Sequence, residues 1–295
     1  MKVIAGIPAY NKQYPVCGVI HATAEYVDEI LVVDDGSTDN TSKLAKQSGA
    51  IVIKHKINQG KTAAVQTILA EAIKRDADVL VLLDSDGQHD PDEIPVLLKP
   101  ILEDGYEFVM GSRKLKESKK IGKRPFIRPF GQFVLKAGLG TITEKKYTDP
   151  ECGFRALSKR AIGAMEFKGT GFSLEAEMIR LAEKHGLKSI EVPMTEIYIP
   201  GGSTLNPWKH GFGNLGVLVS WISEERPLFF FGTTGVVSMV IGVMIGANVL
   251  YIVYTRGGFA IGSTLASMLF IIVGVFSVFT GLILNEIEKG KETGH

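Results

Sequence analysis

Val79-Leu80-Val81-Leu82-Leu83-Asp84-Ser85-Asp86-Gly87-Gln88-His89-Asp90-Pro91-Asp92 is the stretch whose reading decides the fold of this chain. An apolar run of mostly branched residues, Val79 to Leu83, stops abruptly at Asp84-Ser85-Asp86. A run this short, bounded by polar turn chemistry, is expected to be a strand buried on both faces. Carboxylates at i and i+2 on its C-terminal end would sit in the crevice where open α/β sheets bind ligands. Gln88 and His89 add neutral ligand types close by. Such oxygen-rich ligands suit a hard divalent cation, Mg2+ or Mn2+, holding a substrate diphosphate. Taken alone, acids after a strand are more often a solvated turn, and Asp90-Pro91-Asp92-Glu93 has the composition of a helix start. An EF-hand is excluded, because counting from Asp84 puts His89 where the turn glycine belongs.

The flanking sequence repeats the pattern. Val3–Ile7 runs into Pro8-Ala9-Tyr10-Asn11, and Glu29–Val33 runs into Asp34-Asp35-Gly36-Ser37-Thr38-Asp39-Asn40-Thr41. Ala50–Ile53 and Phe108–Gly111 are further strand candidates, and helical spacing covers Val16–Val27, Gly60–Arg75 and Asp92–Glu103. Strands alternating with helices predict an α/β, doubly wound, mostly parallel sheet. In such a sheet Asp34/Asp35 and Asp84/Asp86 close two strands on the same edge and make one site. Lys61, near a helix N-terminus, adds a cation where anions are favoured. His55 occupies the first-glycine position of a P-loop, and no Gly-x-Gly-x-x-Gly follows the first strand. These exclude a Walker nucleotidase and argue against a dinucleotide oxidoreductase.

The 295 residues carry a net charge of +1 and an isoelectric point near 7.7, which gives no global attraction to nucleic acid. Cys17 and Cys152 lie far apart without metal-ligand spacing, as expected of small buried residues in a reducing compartment. The mean hydropathy of +0.15 has a local source. Leu228–Tyr254 and Phe259–Leu284 contain no charged residue, and each as a helix would extend roughly 36–40 Å, enough to cross a bilayer. They are expected to form a two-helix transmembrane hairpin within 227–285, turning at Thr255-Arg256-Gly257-Gly258. Met1-Lys2-Val3-Ile4 leads directly into a strand-like segment, so no signal peptide is expected. Lys209, Arg226, Lys289 and Lys291 flank one side of the hairpin and Arg256 the other. That asymmetry points to a cytosolic catalytic domain and a cytosolic tail at 286–295.

Four motifs carry a family resemblance: Pro8-Ala9-Tyr10-Asn11, Val32–Asp39, Asp84–His89 and Gly111-Ser112-Arg113. In this order they resemble the family 2 glycosyltransferases of the GT-A fold. Asp149-Pro150-Glu151-Cys152-Gly153-Phe154-Arg155-Ala156 and Glu191-Val192-Pro193 are similar to the dolichyl-phosphate mannose synthase and polyprenyl-phosphate glycosyltransferase branch. The resemblance covers residues 1 to about 226. It implies an inverting transfer from a nucleotide-sugar (GDP- or UDP-sugar) to a lipid phosphate. It would set Pro8, Tyr10, Asn11, Asp34, Asp35, Lys61, Asp84 and Ser85 around the nucleotide. Asp84, Asp86 and Gln88 would hold the metal and diphosphate, and Arg113, Arg128 and Arg155 the acceptor phosphate. Asp86, Asp149 and Glu175 are the catalytic candidates, with Arg155 also open to being the ion-pair partner of Asp149.

Elementary chemistry agrees with that assignment. Cleaving a sugar–diphosphate bond concentrates charge on the leaving group, which a bound dication stabilises. A phosphate acceptor is already anionic and needs cationic positioning, for which arginine's planar fork is suited. Basic residues from Arg113 to Arg128, then the apolar stretch Phe130–Leu139, give 113–140 the character of an acceptor and membrane-interface segment. The catalytic domain is expected over 1–204 and an amphipathic interfacial helix over 205–226, with Trp208 and Trp221 at the membrane surface. Ile199-Pro200-Gly201-Gly202-Ser203-Thr204 lacks the Arg and Lys that family members often show there, although its glycines suit a mobile loop. Gly242 and Gly246 form a small-xxx-small face for packing against the second span or a neighbouring subunit, which would allow a homo-oligomer. Two other readings remain open: a GT-A enzyme with a hydroxyl acceptor, using Glu175 or Asp149 as base, and an inactive nucleotide-sugar-binding scaffold.

Overall fold

Period-two alternation explains the layers. A computed structural model describes residues 1–121, 146–167, 174–197, 222–223, 226–258 and 260–292. Strands β1 (Val3–Ala9), β2 (Glu29–Asp34), β3 (Ile51–Lys54), β4 (Val79–Leu82) and β5 (Phe108–Ser112) are parallel to one another in one sheet. Ala5, Ile7, Val32, Val79 and Val81 face one way and pack with Val19, Ile20, Ile94 and Leu97. Those four come from α1 (Val16–Thr23) and α4 (Ile94–Asp104). The alternate set Ile4, Leu31, Val33 and Leu80 is equally buried, on the face that carries α3 (Lys61–Lys74). Both faces are therefore covered, which is why the strands read as continuous apolar runs.

Two findings differ from the sequence expectation. The sheet has seven strands in the order β3-β2-β1-β4-β7-β5-β8, and β7 (Arg155–Ser158) runs antiparallel between β4 and β5. The Gly-Phe-Arg motif thus enters a central strand, whereas the sequence reading gave it a place beside substrate. β8 (Ser189–Pro193) extends β5 in parallel, while β6 (Lys120–Ile121) and β9 (Glu196–Ile197) pair as a separate ribbon. The helix expected from Asp92 begins instead as a 3-10 turn, Pro91–Glu93, whose Asp92 N–H is capped by Asp90 at 3.2 Å. α2 (Thr41–Gln47), α5 (Lys159–Ala164) and α6 (Leu174–Lys184) complete this part of the chain.

Contacts divide the chain into Met1–Asn214 and Leu215–His295. In the second unit, α7 (Pro227–Arg256) ends on left-handed Gly257, and α8 runs Ile261–Glu292, so the expected tail is helical as far as Glu292. Both helices are long and apolar enough to cross a membrane, and few of their residues are buried. Glycines let their backbones approach closely: a Cβ on Gly235 would lie 2.6 Å from the Gly274 carbonyl, and the reverse holds at 2.6 Å. Ser238, Ser267 and Ser277 each donate a hydroxyl to a carbonyl of the opposite helix, at 2.7, 2.7 and 2.8 Å. The Gly242/Gly246 face is turned to Ser267 of this same hairpin. Arg128, the apolar stretch after it, Gly171-Phe172-Ser173, the loop 199–204 and the helix expected from 205, up to Trp221, lie outside the described residues.

Candidate active site

The C-terminal ends of β1, β2 and β4 meet on one sheet edge, and each brings polar residues there. At the end of β2, Asp34 is fully buried and accepts from Ser37 N–H at 2.8 Å and from the Ser42 hydroxyl. Asp35 takes the His55 Nδ1 and Gln59 N–H on one oxygen (2.7 and 2.9 Å) and Gly60 N–H on the other (2.7 Å). His55 is steadied in turn by Thr67, 2.9 Å from Nε2. Gly36, at φ +75°, is required where it stands, because a Cβ would meet the Asn58 amide at 2.6 Å. Asn11 joins this loop to β1: its side-chain carbonyl accepts from Thr38 N–H at 3.0 Å, and its own N–H reaches Ser37 Oγ at 2.9 Å. Pro8 precedes Ala9, the last residue of the same strand, and Tyr10 is 46% exposed beside Asn11.

At the end of β4 the arrangement is different. Asp84 faces the ammonium of Lys61, the first residue of α3, at 2.6 Å. The same ammonium lies 2.8 Å from Glu175, in the first turn of α6. Gly153 closes over the pair: a Cβ there would sit 3.0 Å from Asp84 Oδ2 and 3.2 Å from Lys61 Nζ. Burial alone would raise the Asp84 pKa, but the charge and hydrogen bond of Lys61 together with the charges of His89 and Arg113 outweigh it and bring the carboxyl to about 2. Burial likewise opposes ionisation of Lys61, and its two carboxylate partners reverse that and hold it protonated. Asp86 accepts from Gln88 N–H at 3.0 Å and is partly exposed, while Ser85 is buried. His89 stabilises the turn: its Nδ1 accepts from Asp84 N–H at 3.2 Å and its ring stacks on Phe154 with centroids 5.1 Å apart.

Beyond β5 stands a second charged group. Arg113 grips Asp149 with Nε at 2.6 Å and Nη2 at 2.9 Å, and its backbone N–H reaches the same carboxylate at 3.2 Å. Asp149 is buried, which would raise its pKa, yet Arg113 and Lys114 hold it below the ordinary carboxylate range. Behind it, Glu191 of β8 accepts Thr148 N–H at 2.8 Å and Asp149 N–H at 2.9 Å. Glu191 stands in the Glu191-Val192-Pro193 motif, but this role was not readable from it, since its partner amides are about forty residues away and only the β5–β8 pairing brings them together.

Arg155 requires a correction. Expected on an acceptor phosphate or on Asp149, it is instead 1% exposed and donates to the carbonyls of Cys152, Pro150 and Glu175 at 2.8, 3.0 and 2.7 Å. It begins β7 opposite Leu82 of β4, lining the pocket that also holds Lys61, Asp84 and Glu175, with its guanidinium 5.4 Å from the Phe108 ring centroid and its N–H groups spent on carbonyls. The cation that meets Asp149 is Arg113.

The donor set at β4 fits a hard dication. Asp84 and Asp86 offer carboxylate oxygens, and Gln88 an amide oxygen, on one turn. Among the described residues no three His, Cys, Asp or Glu side chains converge as a metal cage. Mg2+ is commonly held in just this way, by one or two carboxylates completed by substrate phosphates.

Residues 5–164 match the family described as Glycosyl transferase family 2. The UDP-N-acetylglucosamine–dolichyl-phosphate N-acetylglucosaminyltransferase of Methanococcus voltae is 32% identical over 212 residues, covering 65% of this chain and 84% of that protein. The dolichol-phosphate mannosyltransferase of Pyrococcus furiosus is 28% identical over 276 residues, 87% of this chain and 74% of its own length. Among solved structures, glucosyl-3-phosphoglycerate synthase from Mycobacterium tuberculosis, in complex with Mn2+, UDP and glucosyl-3-phosphoglycerate, superposes with a TM-score of 0.56. Its sequence identity is 23%, over 75% of this chain and 79% of that one, a likeness of GT-A fold.

Proposed function

The chain belongs to glycosyl transferase family 2, and on that premise we propose that it transfers a sugar, with inversion, from a nucleotide-sugar to a polyprenyl phosphate of the dolichyl type at a membrane. One observation carries this reading: the Asp84/Asp86 turn and the Arg113–Asp149 clamp share one sheet edge, in a chain that also holds two membrane-length apolar helices. The relatives that act on dolichyl phosphate support it.

In this reading Asp84, Asp86 and Gln88 hold Mg2+ or Mn2+ with the donor diphosphate. The metal supplies Lewis-acid stabilisation of the departing diphosphate. Pro8, Tyr10, Asn11, Asp34, Asp35 and Ser85 build the nucleotide side, with the exposed Tyr10 ring offering a stacking face and Lys61 a positive charge. Arg113, locked in one rotamer by Asp149, stands on the acceptor side, and Arg128 of the basic segment joins it there. The helices 227–256 and 261–292 anchor the enzyme, with its catalytic unit on the cytosolic face.

The two carboxylates available as bases favour a phosphate acceptor over a hydroxyl. Asp149 and Glu175 both carry lowered pKa values, and each is paired with a cation, Arg113 or Lys61. Such carboxylates are poor proton acceptors near neutral pH. A phosphate nucleophile, already ionised, needs none. The test uses full-length protein in detergent with Mg2+ or Mn2+ and labelled UDP- and GDP-sugars. Label should move to polyprenyl phosphate, whereas transfer to polyprenol alone would refute the proposal.

A further inference from the structure

Lys61 stands where a metal-binding carboxylate should be open. Its ammonium is 2.6 Å from Asp84 Oδ1 and 2.8 Å from Glu175 Oε1, and both partners come from segments fixed by the fold. Pro8, Leu82, Leu83, Leu174 and Met178 line the same small pocket, so the three charges sit against apolar walls. Gly153 leaves little space beside them, with Asp84 Oδ2 and Lys61 Nζ both within about a van der Waals contact of the place its Cβ would take.

We infer that Lys61 is a built-in competitor for Asp84, which denies that carboxylate to a divalent cation until a nucleoside diphosphate arrives. The inference rests on the reading above, in which Asp84 and Asp86 hold the metal. A dication brought to Asp84 meets an ammonium already in hydrogen-bond contact, and two cations sharing one carboxylate repel, less than in a dry site because the Lys61 and Asp84 side chains are 39% and 30% exposed. A diphosphate removes the conflict, because its oxygens supply the negative charge that both cations need. Glu175 is the positioning residue in this scheme. It keeps a second carboxylate oxygen on the ammonium at 2.8 Å, so Lys61 can release Asp84 and remain ion-paired. Metal and nucleotide would then each strengthen the other's binding by the same factor.

Mn2+ binding to the full-length protein, followed by electron paramagnetic resonance with and without UDP or GDP, tests this directly. In the unaltered protein, nucleotide should tighten Mn2+ binding by about tenfold or more. Lys61→Met should bind Mn2+ alone about tenfold better and lose most of the tightening by nucleotide. Glu175→Gln should bind Mn2+ alone more weakly than the unaltered protein, since an amide oxygen keeps the hydrogen bond but not the charge, and of the two carboxylates only Asp84 then balances the ammonium. Lys61→Met binding Mn2+ no better, or keeping the full tightening, overturns the inference. Should Lys61→Met not fold, a Glu175→Gln affinity equal to or above the unaltered one does the same. Undiminished Mn2+ binding by Asp86→Asn would instead overturn the metal reading itself, which separates the two failures.

Discussion

The acid pairs at the ends of β2 and β4 look alike in sequence and have opposite surroundings. Asp34 and Asp35 are buried and accept hydrogen bonds from backbone amides, hydroxyls and a histidine of their own loops. They hold the backbone of residues 36–60 in place. Asp84 meets a single ammonium and Asp86 a single amide among the described residues, and both are partly exposed. A carboxylate whose acceptor sites are filled by the chain serves structure, and one with acceptor capacity left can serve a ligand. The difference separates two roles that the motif alone merges.

Four experiments would break or sharpen that contrast. Asp86→Asn should lower turnover by about 10²–10³ while leaving the thermal unfolding profile in place; retained activity would refute its part in the metal site. Asp35→Ala should act the other way, on stability first. It leaves two amides and His55 without their acceptor, a loss of about 2–4 kcal/mol, readable as a lower denaturation midpoint. Glu191→Gln keeps one acceptor oxygen for two amides and should cost about 1 kcal/mol. Its effect should fall on the acceptor KM more than on the donor KM, and an equal effect on both would deny it a part in setting Asp149 and Arg113. The smallest effect concerns pH. Asp84 has a folded pKa of about 2, below its unfolded value of about 3.9. Its pairing therefore adds stability above pH about 4, and this is lost as pH falls toward 2. Lys61→Met should flatten that part of an acid-unfolding profile, and an unchanged profile would count against the pairing.

Much of this was legible from residues close in sequence. Val79–Leu83 announces its strand by composition, and Asp84 and Asp86 announce their edge by following it. What could not be read were relations closed only by topology. Arg155 looks like a substrate ligand until β7 is seen to enter between β4 and β5. Lys61 and Glu175 are a pair across 114 positions, and no local pattern encodes it. Glu191 caps the Asp149 loop only because β8 pairs with β5. The glycines at 242 and 246 were legible as a packing face, but not that the partner is the adjoining helix.

The antiparallel β7 also bears on how the chain must be made. β4 keeps a bare edge until Arg155–Ser158 has left the ribosome, about 75 residues later, or roughly 4–15 s at ordinary elongation rates. Until then β1 to β4 form a half-sheet with an open central strand, a surface prone to pairing with the wrong chain. The nascent protein is most vulnerable midway through synthesis, before either apolar helix has emerged.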